Sequence, residues 1–130
     1  MTEPKWLSRQ MVLAIHAEAI WHFGGMSGVR DDKLLESALD RPRNLYCYDD
    51  SVDLFKLAAS LCTGLIKNHP FNDGNKRTGL LAVRAFLFLN GQALEPDEAD
   101  EVETMVAVAD GRLDETDLAE WLKANCNPLD

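Results

Sequence analysis

Apolar residues recur along this chain with the period of helices almost throughout. Ser8 can cap a first helix in which Met11, Val12, Ile15, Ala19 and Phe23 share a face. Gly24-Gly25 ends it, because glycine accepts the left-handed conformation that follows a helix. Asp31 or Asp32 opens a short second helix through Leu34, Leu35, Ala38 and Leu39, which Pro42 stops. A clearer helix runs from Ser51 to about Asn68, with Leu54, Phe55, Ala58, Leu61, Cys62, Leu65 and Ile66 in one stripe and Asp53, Lys56, Ser60 and Lys67 off it. His69-Pro70 terminates that helix, since the residue before proline is pushed out of the helical region. From about Asn75 to Asn90 the chain is apolar on nearly every side, which predicts a central helix ended by Gly91. Two more helices are expected, from Pro96 or Asp97 to about Ala109 and from Asp114 to about Asn125, with acids in their first turns and Gly111 between them. No segment reads as a convincing strand. The expected fold class is all-α, a compact bundle of about six helices. With no repeat, linker or low-complexity tract, it forms a single domain over residues 1–130.

Composition narrows the function. A chain of 130 residues, 46% hydrophobic and 27% charged, has room for one core and the balance of a soluble protein. Its net charge of -9 repels nucleic-acid phosphates and anionic lipid, so direct binding of nucleic acid or membrane is not expected. The apolar run Leu80 to Leu89 is interrupted by Arg84 and falls short of a membrane span. Met1 to Trp6 lacks the order of a secretory leader. Cys47, Cys62 and Cys126 have neither disulfide-framework nor zinc-site spacing, and Cys62 reads as a small core side chain. A cytoplasmic location is the resulting expectation. Trp6, Trp21 and Trp121 read as core or core-edge packing, and the acids from Glu95 to Glu120 as solvated helix faces.

In so acidic a chain, a small basic loop stands out. Between the two strongest helices lies His69-Pro70-Phe71-Asn72-Asp73-Gly74-Asn75-Lys76-Arg77-Thr78. The amides that open a helix have no partners within it, and the helix dipole adds positive potential there. Gly74 lets the chain turn closely against an anion, and Asn75 tolerates the backbone angles of such a turn. Lys76 and Arg77 add two cations, completing a phosphate cradle. Asp73, the one carboxylate inside it, suits Mg2+ whose shell is completed by water and phosphate oxygens, and it could also cap the following helix. His69 is the proton acceptor, because a free imidazole titrates near neutrality. Pro70 and Phe71 support the loop, Phe71 by pointing into the core. The arrangement implies transfer of a phosphorus-containing group to a hydroxyl.

The string HPFNDGNKRT resembles the signature of the Fic/Doc superfamily, in particular its death-on-curing (Doc) branch. The general pattern H-P-F-x-(D/E)-G-N-G-R-x-x-R is matched at His69, Pro70, Phe71, Asp73, Gly74, Asn75 and Arg77. Lys76 stands at the second glycine and Leu80 at the second arginine, both departures shown by the Doc branch. The segments around Ile15-His16 to Gly24-Gly25, Leu34 to Leu39 with Pro42, Phe88 to Gly91, and Gly111 to Leu122 are also similar to Doc sequences in order and spacing. The resemblance therefore spans almost the whole chain.

The resemblance implies that His69 and Arg77 are catalytic. It makes Asp73 the Mg2+ ligand and Gly74, Asn75, Lys76 and Arg77 the phosphate-binding segment, with ATP as substrate. Fic-type members move AMP from ATP to a protein hydroxyl. Doc-type members move the terminal phosphate, and their known target is a threonine of elongation factor Tu. The lysine at the second glycine's position is held to obstruct the usual nucleotide pose and favour a reversed one, so Lys76 favours phosphorylation over adenylylation. The other readings are an adenylyltransferase and a catalytically silent nucleotide-binding module. The family's inhibitory motif (S/T)-x-x-x-E-(G/N) is incomplete here: Thr116 and Glu120 have the spacing, but Trp121 follows. Inhibition is therefore expected in trans, by a Phd-like antitoxin. Outside the loop, His16 reads as a satisfied buried histidine, His22 as a residue that could face the cleft, and Arg84 as reaching solvent or pairing with an acid.

Overall fold

The computed structural model describes residues 2–130. Its helices begin, with two exceptions, where a short polar side chain takes up an orphan amide. Helix α1 (Arg9–Phe23) is capped by Ser8, whose hydroxyl accepts from the Met11 amide at 3.1 Å. Asp31 caps α2 (Asp32–Tyr48), Asp53 caps α3 (Leu54–Lys67) and Asp114 caps α6 (Glu115–Ala124) in the same way. Helices α4 (Asn75–Leu89) and α5 (Glu98–Ala109) start without a side-chain cap. Two three-residue strands, β1 (Gln92–Leu94) and β2 (Cys126–Pro128), pair antiparallel with Ala93 opposite Asn127.

The hub is α3. Every residue from Leu57 to Ile66 is buried, Ser60 included, and the helix packs against α2, α4, α5 and α6. Glycines permit this crowding: a Cβ at Gly79 would meet Ile66 at 2.7 Å, and one at Gly64 would meet Ala38 at 3.2 Å. The all-α class and the helix count agree with the sequence pattern, but several details do not. It is α3 rather than α4 that is enclosed on all sides; the last turn of α4 leaves Phe88 60% exposed. Helix α3 also starts later than Ser51, because Asp49 draws the amide and hydroxyl of Ser51 into a turn of their own. Phe23 and Trp21 lie on the surface rather than in the core.

The largest departure is α2, which continues through Pro42 instead of stopping there. Proline deprives the Ala38 carbonyl of its helical donor, at a cost of about 3 kcal/mol. Tertiary contacts offset it. Pro42 is itself buried, Leu45 packs on the core, Tyr46 meets Trp6 edge-on at 5.8 Å, and Arg43 lies over the Trp6 ring at 5.7 Å. The strands were also unforeseen. Three residues are too few for an alternating pattern to register, and the pairing joins segments far apart in sequence. Among the described residues, no helix is long and apolar enough to cross a membrane.

Cys62 is fully buried beside Met105, and burial pushes its thiol up to about 12. An unfolded thiol ionises near pH 8.5, so the unfolded chain loses this proton first as pH rises. The stability Cys62 contributes is complete below that point and declines as pH climbs toward the folded value. Urea titrations at about pH 8 and about pH 10 should show the native protein losing roughly 2 kcal/mol more than Cys62→Val. Equal losses would refute the assignment.

Candidate functional site

The loop after α3 is held from three directions. The backbone of His69 has φ 53, a left-handed conformation uncommon for a residue with a side chain and costing of order 1–3 kcal/mol. Arg30, just ahead of α2, braces it: its Nε donates to the His69 carbonyl at 2.8 Å, a guanidinium nitrogen donates to the Asn68 carbonyl at 3.1 Å, and its amide donates to the Pro70 carbonyl at 2.7 Å. From below, Phe71 is fully buried, and its ring stacks on His16 with centroids 3.8 Å apart. From within, the Asn75 side chain accepts from the Phe71 amide and donates to the Phe71 carbonyl, both at 3.0 Å. The outcome of this bracing is a His69 side chain exposed at the edge of a cleft, with its ring making no hydrogen bond among the described residues.

Helix α4 opens on Gly74, which adopts φ 74 and carries no side-chain cap. The amides of the first turn therefore lack partners within the helix. Asp73 does not cap α4. Its Oδ1 accepts from the Gly74 amide at 2.9 Å, and its Oδ2 accepts from the Met26 amide at 3.2 Å. Its carbonyl accepts from His16 Nε2 at 2.9 Å; since a carbonyl can only accept, that nitrogen carries the proton. His16 is thus a satisfied buried histidine that ties α1 to the loop. Gly25 has a second duty besides ending α1, because a Cβ there would come within 2.8 Å of Asp73 Oδ2.

His69, Asp73, Gly74, Asn75, Lys76 and Arg77 all line one cleft of about 660 Å3, a size suited to a small-molecule ligand. Pro70 and Phe71 lie buried beneath it. Asn75 is turned inward, so only its backbone is available to a ligand. Lys76 is exposed, and the Arg77 guanidinium sits 4.0 Å over the Phe23 ring. Phe23, exposed as it is, therefore acts as a platform for a cleft cation. His22 does not reach the cleft and instead meets Glu18 at 3.2 Å.

The opposite wall was not foreseen from the sequence. Val102, Met105, Val106 and Ala109 of α5 face the loop, joined by Lys67 and the Asp110-Gly111 turn. Their spacing in the sequence is that of a helical stripe, but a stripe facing a cleft reads like one facing a core. Arg84 of α4 fixes this wall by pairing with Glu101 of α5 at 2.8 Å.

The carboxylates on the cleft are Asp73 and Asp110. Hydrogen bonds from Arg112 hold the Asp110 carboxyl below the usual range, and that pairing occupies it. Each oxygen of Asp73 takes one amide and keeps lone pairs free. Among the described residues, no cluster of three His, Cys, Asp or Glu side chains could hold a metal unaided. Asp73 therefore fits a hard cation only where a ligand's own oxygens share it, as phosphates do.

A model of the Fic/DOC family matches residues 6–87. The chain is 29% identical over 117 residues to the protein kinase doc of Escherichia phage P1, an alignment covering 90% of this chain and 92% of that one. It is 40% identical over 119 residues to the toxin Doc of Mycolicibacterium smegmatis, covering 88% of each.

Proposed function

From the premise that this chain belongs to the Fic/DOC family, on its Doc branch, we propose that it transfers the γ-phosphate of ATP to a serine or threonine hydroxyl of a protein target. The observation that carries this reading is the uncapped start of α4, with Lys76 and Arg77 facing the same cleft as an exposed His69. His69 takes the proton from the target hydroxyl. The freed oxygen bonds to the γ-phosphorus, the bond to the bridging oxygen breaks, and ADP leaves with that electron pair. The first-turn amides, Lys76 and Arg77 offset the negative charge on the phosphoryl oxygens. Asp73 would hold Mg2+, which when bound draws charge from the phosphates.

Lys76 supports phosphate over AMP transfer. A long cation occupies space that glycine would leave for a phosphate, so the triphosphate enters with its terminal group at the loop. Incubation with ATP labelled separately at the α and γ positions tests this directly. Label should reach the target from the γ position; transfer only from the α position would establish an adenylyltransferase instead. Lys76→Gly should shift the transferred group toward AMP, read by target mass, and an unchanged product would remove Lys76 from this role. Calorimetric nucleotide binding without any transfer would indicate a silent binding module.

The reading extends to a toxin, in keeping with the name of the mycobacterial relative, and on this reading its action blocks translation. Elongation factor Tu is the first target to assay. Helix α6, which carries Thr116 and Glu120, is not among the described elements that line the cleft. Restraint falls to a separate Phd-like antitoxin covering the cleft. Harmless accumulation of active protein in cells with no such partner would count against toxicity.

A further inference from the structure

Lys67, the last residue of α3, is not part of the loop, yet it lines the same cleft as His69, Lys76 and Arg77. It enters from the side of α5: a Cβ at Gly111 would stand 3.7 Å from its Nζ. Asp110, the acid on that side of the cleft, is already engaged by Arg112, whose Nε donates to its two oxygens at 3.0 and 2.8 Å. Lys67 itself makes no ion pair among the described residues, whereas Arg9, Arg41, Arg84 and Arg112 are all tied to carboxylates. In a chain of net charge -9, three lysine and arginine side chains that make no ion pair among the described residues thus converge on one cleft, Lys67 acting on Asp110 only through its field. A cation in the last turn also suits the dipole of α3, but that role would be served equally by a side chain pointing into open solvent.

Helix α4 supplies no further charge to this wall. Its next cleft residue, Leu80, is apolar, and Arg84 is committed to Glu101. Asp73 and the Met26 amide lie toward α1, whereas Lys67 lies toward α5, where Val102, Met105 and Val106 offer an apolar surface to a nucleobase. We propose that Lys67 extends the anion site, binding the α- and β-phosphates while the loop holds the γ-phosphate. This rests on the reading of the cleft as a nucleoside triphosphate site. Lys67 is then a substrate-positioning residue that sets the direction in which the nucleotide tail leaves the loop.

The test compares the wild type with Lys67→Met and Lys67→Arg by calorimetry against Mg-ATP and adenosine, alongside transfer kinetics. Lys67→Met should weaken ATP binding about tenfold, the size of a lost charge-assisted contact at a partly solvated site. Adenosine binding should change less than about twofold, KM for ATP should rise about tenfold, and kcat should stay within about threefold. Lys67→Arg should keep ATP affinity within about threefold of the wild type, since it retains the charge. ATP affinity unchanged in Lys67→Met, or a loss that arginine does not restore, overturns the proposal. A wild type that binds ATP through Lys67 but modifies no protein would leave this inference standing and reject the transfer reaction. A wild type that binds no ATP would reject both.

Discussion

Replacing His69 with alanine is expected to lower the transfer rate about a thousandfold while nucleotide affinity stays within about twofold of the wild type, the middle of the range for a lost general base. The separation of the two effects follows from the site. The His69 side chain is exposed and its ring makes no hydrogen bond to the rest of the described chain, so its removal breaks no such contact, and the proposed phosphate contacts come from α4 and its flanking cations. The left-handed backbone at residue 69 is imposed by Arg30 through carbonyls that alanine retains. Single-turnover kinetics on the labelled target would measure the first effect and calorimetry the second. A rate within about tenfold of the wild type would mean that another group accepts the proton, and the mechanism would have to be rebuilt.

The second large effect is on stability. Phe71→Ala should destabilise the fold by about 3–5 kcal/mol, the usual range for emptying a fully buried aromatic site. Phe71 has no exposed surface and lies flat against His16, which in turn holds the Asp73 carbonyl. The cavity would open directly beneath the loop, so the variant should lose nucleotide affinity under conditions where it remains folded. Urea unfolding gives the first number. Because total stabilities of such domains are only about 5–15 kcal/mol, low temperature or a stabilising osmolyte would be needed to read the second. A loss under about 1 kcal/mol would show that the loop is anchored elsewhere.

Much of the fold is legible without coordinates because its determinants are short-range. Ser8, Asp31, Asp53 and Asp114 cap helices from within three residues of the amides they bind, and Gly24 and Gly111 end helices by their own left-handed φ. Pro42 marks where short-range reasoning fails. Its local effect is to break a helix, and tertiary contacts overrule it: Pro42 is itself buried, and Tyr46 beyond it meets Trp6 edge-on. Trp21 and Phe23 mislead for a related reason: helical spacing assigns a face but does not say whether another element covers it.

The candidate site divides along the same line. Taken alone, the sequence placed a basic, glycine-containing loop beside a histidine and ahead of a helix at residues 69 to 77, because one short segment carries all of those residues. Only the tertiary structure decided which of those side chains turn toward a ligand. Asn75 turns away to lock Phe71, Asp73 shares its oxygens with the amide of Met26, and Arg77 settles on Phe23. The packing of α5 and the end of α3 around the loop likewise brings Lys67 and the Val102–Val106 face to the cleft. Those placements join residues tens of positions apart, and such contacts depend on how whole helices pack, which no local pattern of side chains encodes.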